Sequence, residues 1–146
     1  MTRVSFQLEQ TWSVPAQRLW QALADWESHS KWIPATRVRI LSGDGGLGTA
    51  FVARTGIGPL GFDDHMTVIE FDAATTHAVV QKTGPLLLGS AGFRIEERNG
   101  GSHLLWVETV RVPYLPPFLV PAVAHIGRLL FTASLLQLRK QLASTG

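Results

Sequence analysis

The sequence predicts an α+β fold in which about seven antiparallel strands form a curved sheet around one long C-terminal helix. Residues 1–40 combine a strand-like segment with two short helices, and residues 118–143 form one long apolar helix pattern. The residues between them contain only strand-like segments separated by turns, and short connections favour antiparallel pairing. Because a long helix across a curved sheet leaves an apolar hollow, this pattern favours a ligand-binding protein.

The length and composition indicate one domain, spanning residues 1–146, with a core of substantial size. Charged residues make up 16% of the chain, against roughly 25% in an average globular protein. The net charge is only +2, and Lys and Arg form no run, so the sequence predicts no nucleic-acid partner. The chain has no cysteine, which excludes disulfide bonds and thiol chemistry.

The sequence also bears on location and assembly. The N-terminal residues show no charged-then-apolar signal pattern. No apolar run reaches the roughly 18 residues of a membrane span, because His125 and Arg128 interrupt the C-terminal helix. We therefore expect a cytoplasmic protein that does not span a membrane. The oligomeric state is left open between a monomer and a homodimer.

The first strand and the first helices are predicted from two different hydrophobic periods. Residues 3–12 alternate between apolar and polar side chains, which is the pattern of a half-buried strand. Four apolar residues then share one helical face: Ala16, Leu19, Trp20 and Leu23. Ser13 is placed to cap this helix. A second short helix is predicted over residues 25–30, so two short helices follow the first strand.

Six further segments have the composition and length of strands. They cover residues 36–41, 49–55, 64–71, 77–83, 90–97 and 103–112. Glycine-rich turns join two of the predicted hairpins, at residues 43–46 and at residues 99–101. Together with the first strand, these segments make a sheet of about seven strands.

The long C-terminal helix is predicted to place a stripe of mostly apolar residues against the sheet. One helical face carries Val123, Gly127, Leu130, Ser134 and Leu138. Two of them, Gly127 and Ser134, are small, and a glycine inside a helix costs about 1 kcal/mol relative to alanine. Small residues there either let the helix approach the sheet closely or open room for a ligand, and the sequence leaves both explanations open.

A motif of apolar, aromatic and turn residues spans the predicted helical pair. It consists of Val14, Pro15, Ala16, Leu19, Trp20, Leu23, Asp25, Trp32 and Pro34. The motif resembles that of the polyketide cyclase/dehydrase family in the START-like, helix-grip superfamily, with Pro15 and Ala16 in reversed order. The resemblance covers essentially the whole chain and implies a helix-grip fold that holds a small hydrophobic ligand. It does not select among carriers, receptors and aromatase/cyclases.

Glu108 is the main candidate for a polar role inside the predicted cavity. A period of two puts it on the same strand face as Trp106. A carboxylate in an apolar hollow needs a partner or a raised pKa, and Arg54 is the predicted partner. With Arg54, Glu108 is also the candidate for general acid/base chemistry. A solvated position of Glu108 at the rim of the cavity remains the alternative.

No metal or cofactor is expected. His65 follows Asp63 and Asp64, but three consecutive residues of a strand point to alternating faces and cannot converge on one ion. The chain also lacks a nucleophile-elbow motif. The glycine-rich segment 56–61 has no lysine and no following helix, so it is interpreted as a mobile loop over the cavity mouth rather than a phosphate site.

Three functions remain open at this point. The first is a carrier or sensor of a lipophilic or aromatic ligand, the second is a polyketide aromatase/cyclase or dehydratase, and the third is a protein-interaction module with a vestigial, filled cavity. Leu105 and Val107 are the candidate contact patch of that module. The predicted ligand-binding residues are Trp32, Arg54, Met66, Phe93, Trp106, Glu108, Val123, Gly127, Leu130, Phe131 and Ser134.

Overall fold

The computed structural model describes residues 1–144, which form seven strands, two α-helices and three short 3₁₀ helices. The strands are β1 (Thr2–Trp12), β2 (Thr36–Ser42), β3 (Ala50–Thr55), β4 (Phe62–Asp72), β5 (His77–Gly84), β6 (Leu88–Arg98) and β7 (Gly101–Val112). The α-helices are α1 (Ala16–Leu23) and α2 (Val120–Ser144). The 3₁₀ helices cover Trp26–Lys31, Gly58–Leu60 and Pro117–Leu119. The predicted helix-grip fold is therefore confirmed.

All seven strands pair antiparallel in one sheet, in the order β1-β7-β6-β5-β4-β3-β2. Consecutive strands from β2 to β7 are neighbours, and β1 pairs with β7. Register shifts interrupt β2 between Ile40 and Ser42 and β4 between Val68 and Glu70. Such irregularities increase the local twist, which helps the sheet curve around the helices.

The start of α1 is stabilised from the sheet rather than by a local cap. Pro15 occupies the N-cap position, and no side chain caps the helix locally, so the predicted cap by Ser13 is wrong. Instead, the backbone N–H of Ala16 donates a hydrogen bond to Glu97 Oε1 on β6. Leu19 and Leu23 are fully buried and fix the inner face of the helix.

The inner face of α2 follows the predicted stripe except at Leu130. Ser134, Leu135 and Leu138 are buried, whereas Leu130 is 65% exposed and does not face the sheet. A Cβ added at Gly127 would lie 3.2 Å from Cε1 of Phe6 on β1. Gly127 therefore allows close approach of helix and strand, and it does not open room for a ligand.

Large aromatic side chains fill most of the space between the concave face of the sheet and the helices. Trp26 stacks on Phe51 with ring centroids 5.1 Å apart. Trp106 lies between Phe93, at 5.5 Å, and Phe131 of α2, at 4.2 Å. These rings reduce the interior to a small cavity, described below.

Among the described residues, one helical segment is long and apolar enough to cross a membrane. It covers Pro117–Ser144, with a mean hydropathy of 1.6, and only 11% of its most apolar stretch is buried. The expectation that His125 and Arg128 would prevent such a match is wrong. The inner face of α2 nevertheless packs in the fold through Leu135 and Leu138, which is the position of the core helix in a helix-grip domain.

Candidate functional site

A cavity of about 180 Å³ lies between the concave face of the sheet, the 3₁₀ helix Trp26–Lys31 and α2. Its wall combines aromatic and aliphatic side chains with three charged ones. The lining residues are Trp26, His29, Ile33, Thr36, Val38, Phe51, Ala53, Thr55, Asp64, Met66, Val80, Lys82, Ala91, Trp106, Glu108 and Phe131. The volume is smaller than the roughly 300 Å³ at which typical ligand sites begin.

Strand alternation brings the three charged residues into the cavity. Asp64 lies two residues before Met66 on β4, and Lys82 lies two residues after Val80 on β5, so each shares the inner face with an apolar neighbour. Glu108 on β7 follows Trp106 in the same way. The sheet therefore points two carboxylates and one ammonium group into one apolar space.

Lys82 and Asp64 form a buried ion pair. Lys82 Nζ lies 2.5 Å from Asp64 Oδ2, and the two side chains are 7% and 10% exposed. Lys82 Nζ also lies 3.7 Å from the Sδ atom of Met66. The second oxygen of Asp64, Oδ1, is buried and accepts no hydrogen bond from any group in residues 1–144. This oxygen is therefore a buried acceptor available to a bound molecule.

The environment keeps Lys82 protonated. Burial alone would lower the pKa of Lys82, but the negative charges of Glu108 and Asp64, with the hydrogen bond to Asp64, outweigh it and raise the pKa above 10.5. A protonated amine has no lone pair for attack on a carbonyl. Lys82 can therefore stabilise negative charge on a bound molecule, and it cannot serve as a nucleophile near neutral pH.

Glu108 reaches the cavity, as predicted, but its partners differ from the prediction. Trp106 Nε1 donates to Glu108 Oε1 at 3.3 Å, and the charge of Glu108 acts on Lys82. Arg54 points to the outer face, where Nη1 lies 3.3 Å from Asp63 Oδ1 and the side chains are 46% and 51% exposed. The predicted pairing of Glu108 with Arg54 is wrong because Ala53, not Arg54, faces inward on β3.

His29 contributes a neutral ring to the cavity wall. Its Nε2 atom lies 2.8 Å from the carbonyl oxygen of Leu23 and, in the neutral ring, donates to it. Burial lowers the pKa of His29 to about 4, although the contact with Leu23 and the charge of Asp25 act in the opposite direction. The ring packs between Trp26 and Trp32, so it is uncharged at neutral pH.

The other predicted ligand-binding residues divide into three groups. Met66, Trp106, Glu108 and Phe131 lie on the cavity wall. Trp32 and Phe93 are buried among the aromatic side chains that pack around the cavity, without lining it. Five others, Arg54, Val123, Gly127, Leu130 and Ser134, do not line it. Ligand binding by the wall residues remains a prediction.

The sequence reasoning missed the charged pair Asp64 and Lys82. The sequence contains a signal for this pair. Lys82 lies two positions after Val80, and Asp64 lies two positions before Met66. A charged residue in phase with buried apolar residues indicates an inward charge. Within residues 1–144, no cluster of three His, Cys, Asp or Glu side chains could hold a metal ion.

A second, more open depression of about 300 Å³ lies on the outer face of the sheet. Leu105 and Val107, the predicted contact patch, line it beside Gly92. It contains neither a buried ion pair nor an aromatic cluster, and the inner cavity has both. The interaction-module alternative requires a filled interior, whereas the interior of this protein retains open volume.

The chain matches the family described as polyketide cyclase/dehydrase and lipid transport over residues 3–143. Its structure is similar to that of the ZhuI aromatase/cyclase from Streptomyces sp. R1128, with a TM-score of 0.79 and 15% identity, over 96% of this chain and 93% of that one. It is also similar to Ara h 8.0201, with a TM-score of 0.70 and 22% identity, over 98% and 99% of the two chains. No curated protein matches the sequence. Because the family match covers nearly the whole chain, the protein belongs to the polyketide cyclase/dehydrase and lipid transport family.

Proposed function

We propose that the protein binds a small, largely apolar or aromatic molecule that carries a hydrogen-bonding group, and acts as its carrier or sensor. The observation that carries the proposal is the cavity itself, in which apolar walls surround a buried ion pair with a free acceptor oxygen. Ligand sites typically combine apolar walls with a few polar groups that orient the ligand. The family match supports a ligand-binding role.

The cavity volume limits the part of the ligand that is enclosed. An engineered apolar cavity of roughly 150 Å³ holds benzene, so a space of about 180 Å³ accommodates one substituted ring. A longer ligand must extend beyond this enclosed volume, toward the end of the sheet where Thr36 and Thr55 line the cavity. A single-ring head with a tail directed outward fits both observations.

The polar groups specify the chemistry of the enclosed ring. Asp64 Oδ1 can accept a hydrogen bond from a ligand hydroxyl or N–H group. Lys82 Nζ carries three hydrogens and donates to Asp64 Oδ2, so it can also donate to a ligand oxygen. A phenol is the simplest molecule that supplies both an apolar ring and such a group.

Calorimetric titration with p-cresol and p-xylene tests the proposal, because the two molecules differ only in a hydroxyl against a methyl group. We expect p-cresol to bind about tenfold more tightly, as one hydrogen bond to a charged group is worth about 1.5–3 kcal/mol. Equal affinities, or no binding of either molecule, would refute the proposed site.

A paired substitution tests whether the ion pair causes the preference for p-cresol over p-xylene. The double variant Lys82→Met with Asp64→Leu removes both charges together and leaves no uncompensated partner between them. In this variant, p-xylene should bind at least as tightly as p-cresol. The matched control is Arg54→Gln with Asp63→Asn, which removes the exposed pair on the outer face. The control should bind p-cresol more tightly than p-xylene, as the unmodified protein does.

A second candidate function, cyclisation with dehydration of a bound polyketide, is favoured by the same charged groups. Glu108 can take a proton from the carbon next to a ketone, and Lys82 can stabilise the enolate oxygen. The enolate carbon then attacks a second ketone of the chain, and the resulting alkoxide takes up the proton held by Glu108. Loss of this hydroxyl with a hydrogen from the adjacent carbon, as one water, gives a cyclic enone. The test is a linear diketone able to close a six-membered ring. Enone formation that Glu108→Gln abolishes supports this function, and formation at the uncatalysed rate rejects it.

A further inference from the structure

Several connections between strands lie at one end of the sheet, where two residues of the cavity wall also lie. The register places the start of β2, the ends of β3, β5 and β7 and the starts of β1, β4 and β6 along one edge. Thr36 and Thr55, which pair at this edge, also line the cavity. This end of the sheet, at which Thr36 and Thr55 line the cavity, is called the mouth edge below.

Large apolar side chains are exposed along the mouth edge. They lie in the connections β3–β4, β5–β6 and β7–α2, and are called the apolar rim: Ile57, Leu60, Leu86, Tyr114, Phe118 and Leu119. Leu60 is 89% exposed and Phe118 is 80% exposed. Single exposed apolar residues are ordinary, but a group of them at one edge indicates an interaction surface.

The first half of α2 also carries exposed apolar residues. Ile126, Leu129 and Leu130 are exposed and follow the spacing of one helical stripe. The connection to the helix is held at the mouth edge, because its residue Leu115 accepts a hydrogen bond from the side chain of Thr2 at the start of β1. The stripe therefore lies in the helix that directly follows the rim residues Phe118 and Leu119 along the chain.

Positive charge accompanies the apolar rim. Exposed arginines occupy the strand positions near the mouth edge and the adjoining helix: Arg3, Arg37, Arg54, Arg111 and Arg128. Of the acidic residues in this half, Asp63 pairs with Arg54, while Asp64 and Glu108 face the cavity. Other acidic residues lie toward the opposite end of the sheet: Glu9, Asp44, Glu70, Asp72, Glu96 and Glu97. The exposed charges at the mouth edge are thus mostly positive.

We propose that the mouth edge docks on an anionic lipid bilayer. The apolar rim enters the boundary between headgroups and acyl chains, and the arginines contact the negatively charged headgroups. A second copy of the chain would bring the same arginines against each other, whereas an anionic bilayer complements both the apolar and the basic residues. Since Leu135 and Leu138 of α2 remain in the core, the docking is peripheral. The inference holds whichever ligand the cavity takes.

Vesicle flotation tests the docking. We expect the protein to float with vesicles of equal parts phosphatidylcholine and phosphatidylglycerol, weakly with phosphatidylcholine alone, and less well as salt is raised. Leu60→Ser with Phe118→Ser should weaken binding by about tenfold per residue, given the apolar area withdrawn from water. The control, Leu41→Ser with Leu47→Ser, removes exposed leucines at the opposite end and should change nothing.

Separate variants test the contribution of the arginines to membrane binding. Arg37→Gln with Arg128→Gln should weaken binding to the anionic vesicles by about fivefold per residue. Arg94→Gln with Arg98→Gln, two exposed residues on β6, is the matched control with the same change of net charge. If both double variants lost the same amount of binding to anionic vesicles, binding would depend on net charge alone, and the proposed orientation would be overturned.

A fluorescence measurement locates the contact directly. All five native tryptophans are buried, so a tryptophan at an exposed position reports on docking. Brominated anionic lipids should quench Phe118→Trp strongly and Leu47→Trp, at the opposite end, weakly. No flotation with anionic vesicles, or equal quenching at both positions, overturns the proposal. So does concentration-dependent dimerisation in the ultracentrifuge that Leu60→Ser with Phe118→Ser abolishes, because the surface would then be a dimer interface.

Discussion

Removing the charge of Lys82 should be the most destabilising single substitution in the cavity. Lys82→Met leaves the carboxylate of Asp64, whose side chain is 10% exposed, without a counterion. Breaking a buried ion pair from one side costs about 3–5 kcal/mol. At about 2–4 °C per kcal/mol for a chain of this length, the melting temperature should fall by about 10 °C. Since whole domains are stable by about 5–15 kcal/mol, the variant should still fold.

A double-mutant cycle separates the pair from its surroundings. Lys82→Met and Asp64→Leu are made singly and together, and unfolding by urea is followed by tryptophan fluorescence and circular dichroism. The free energy of unfolding of the double variant should lie within about 1 kcal/mol of that of the unmodified protein, because removing both charges together changes stability little. Glu108 is only partly buried, so solvent compensates its charge when Lys82 is absent. The coupling energy should therefore exceed about 2 kcal/mol.

The same cycle on Arg54 and Asp63 is the control. This exposed pair should give a coupling of about 0–1 kcal/mol. Because the pKa of Lys82 is raised on folding, the stability that this shift contributes is present at neutral pH and is lost as the pH rises above 10.5 through the folded-state value. Two results would refute the view that Lys82 and Asp64 act as a buried unit. One is that each single substitution lowers the free energy of unfolding by less than about 1 kcal/mol, and the other is that the effects of the two substitutions simply add.

Three further predictions concern His29, Gly127 and Glu108. The pKa of His29 falls to about 4 on folding, so the unfolded chain binds more protons below pH 6.5, and stability should fall by about 3 kcal/mol between pH 6.5 and 4; urea titrations of His29→Gln should lack this slope. Gly127→Leu should destabilise by about 1–3 kcal/mol in thermal unfolding because it presses on Phe6, whereas Gly127→Ala should be nearly neutral, and equal effects would disprove the close approach. Glu108→Gln should lower the pKa of Lys82, measured by carbon-13 NMR of its side chain, and an unchanged value would mean that the two charges do not interact.

The sequence by itself determined the order and kind of the elements. The period-two pattern of residues 3–12 and the shared helical face of Leu19 and Leu23 are local signals, and β1 and α1 form where those signals place them. The long apolar pattern near residues 118–143 likewise gives α2 at Val120–Ser144. Such patterns can be recognised in the sequence because an element that buries a continuous apolar face must repeat its apolar residues with the period of a helix or of a strand.

The sequence also identified part of the cavity wall. Trp106 and Glu108 share the inner face of β7 because the alternation there is continuous and begins from clearly buried residues such as Leu104. Phe131 and Met66 were also named from the sequence, but without a periodicity argument that fixed the direction of either side chain. Where the apolar pattern is regular, periodicity is sufficient to give the direction of a side chain.

Only the tertiary structure decided the phase of β3 and the close packing of α2 on β1. Phe51, Val52 and Ala53 are all buried, so the alternation on β3 does not show which face is inner, and the pairing of Arg54 with Asp63 depends on that choice. The apolar residues of α2 extend around much of the helix, and only the position of Gly127 against Phe6 of β1 shows how closely the helix approaches the sheet. The ion pair of Lys82 with Asp64 joins adjacent strands through a register that long-range pairing of β4 with β5 establishes. Phase, close packing and register are relations between elements, and for this reason they follow from packing and not from any local segment of the chain.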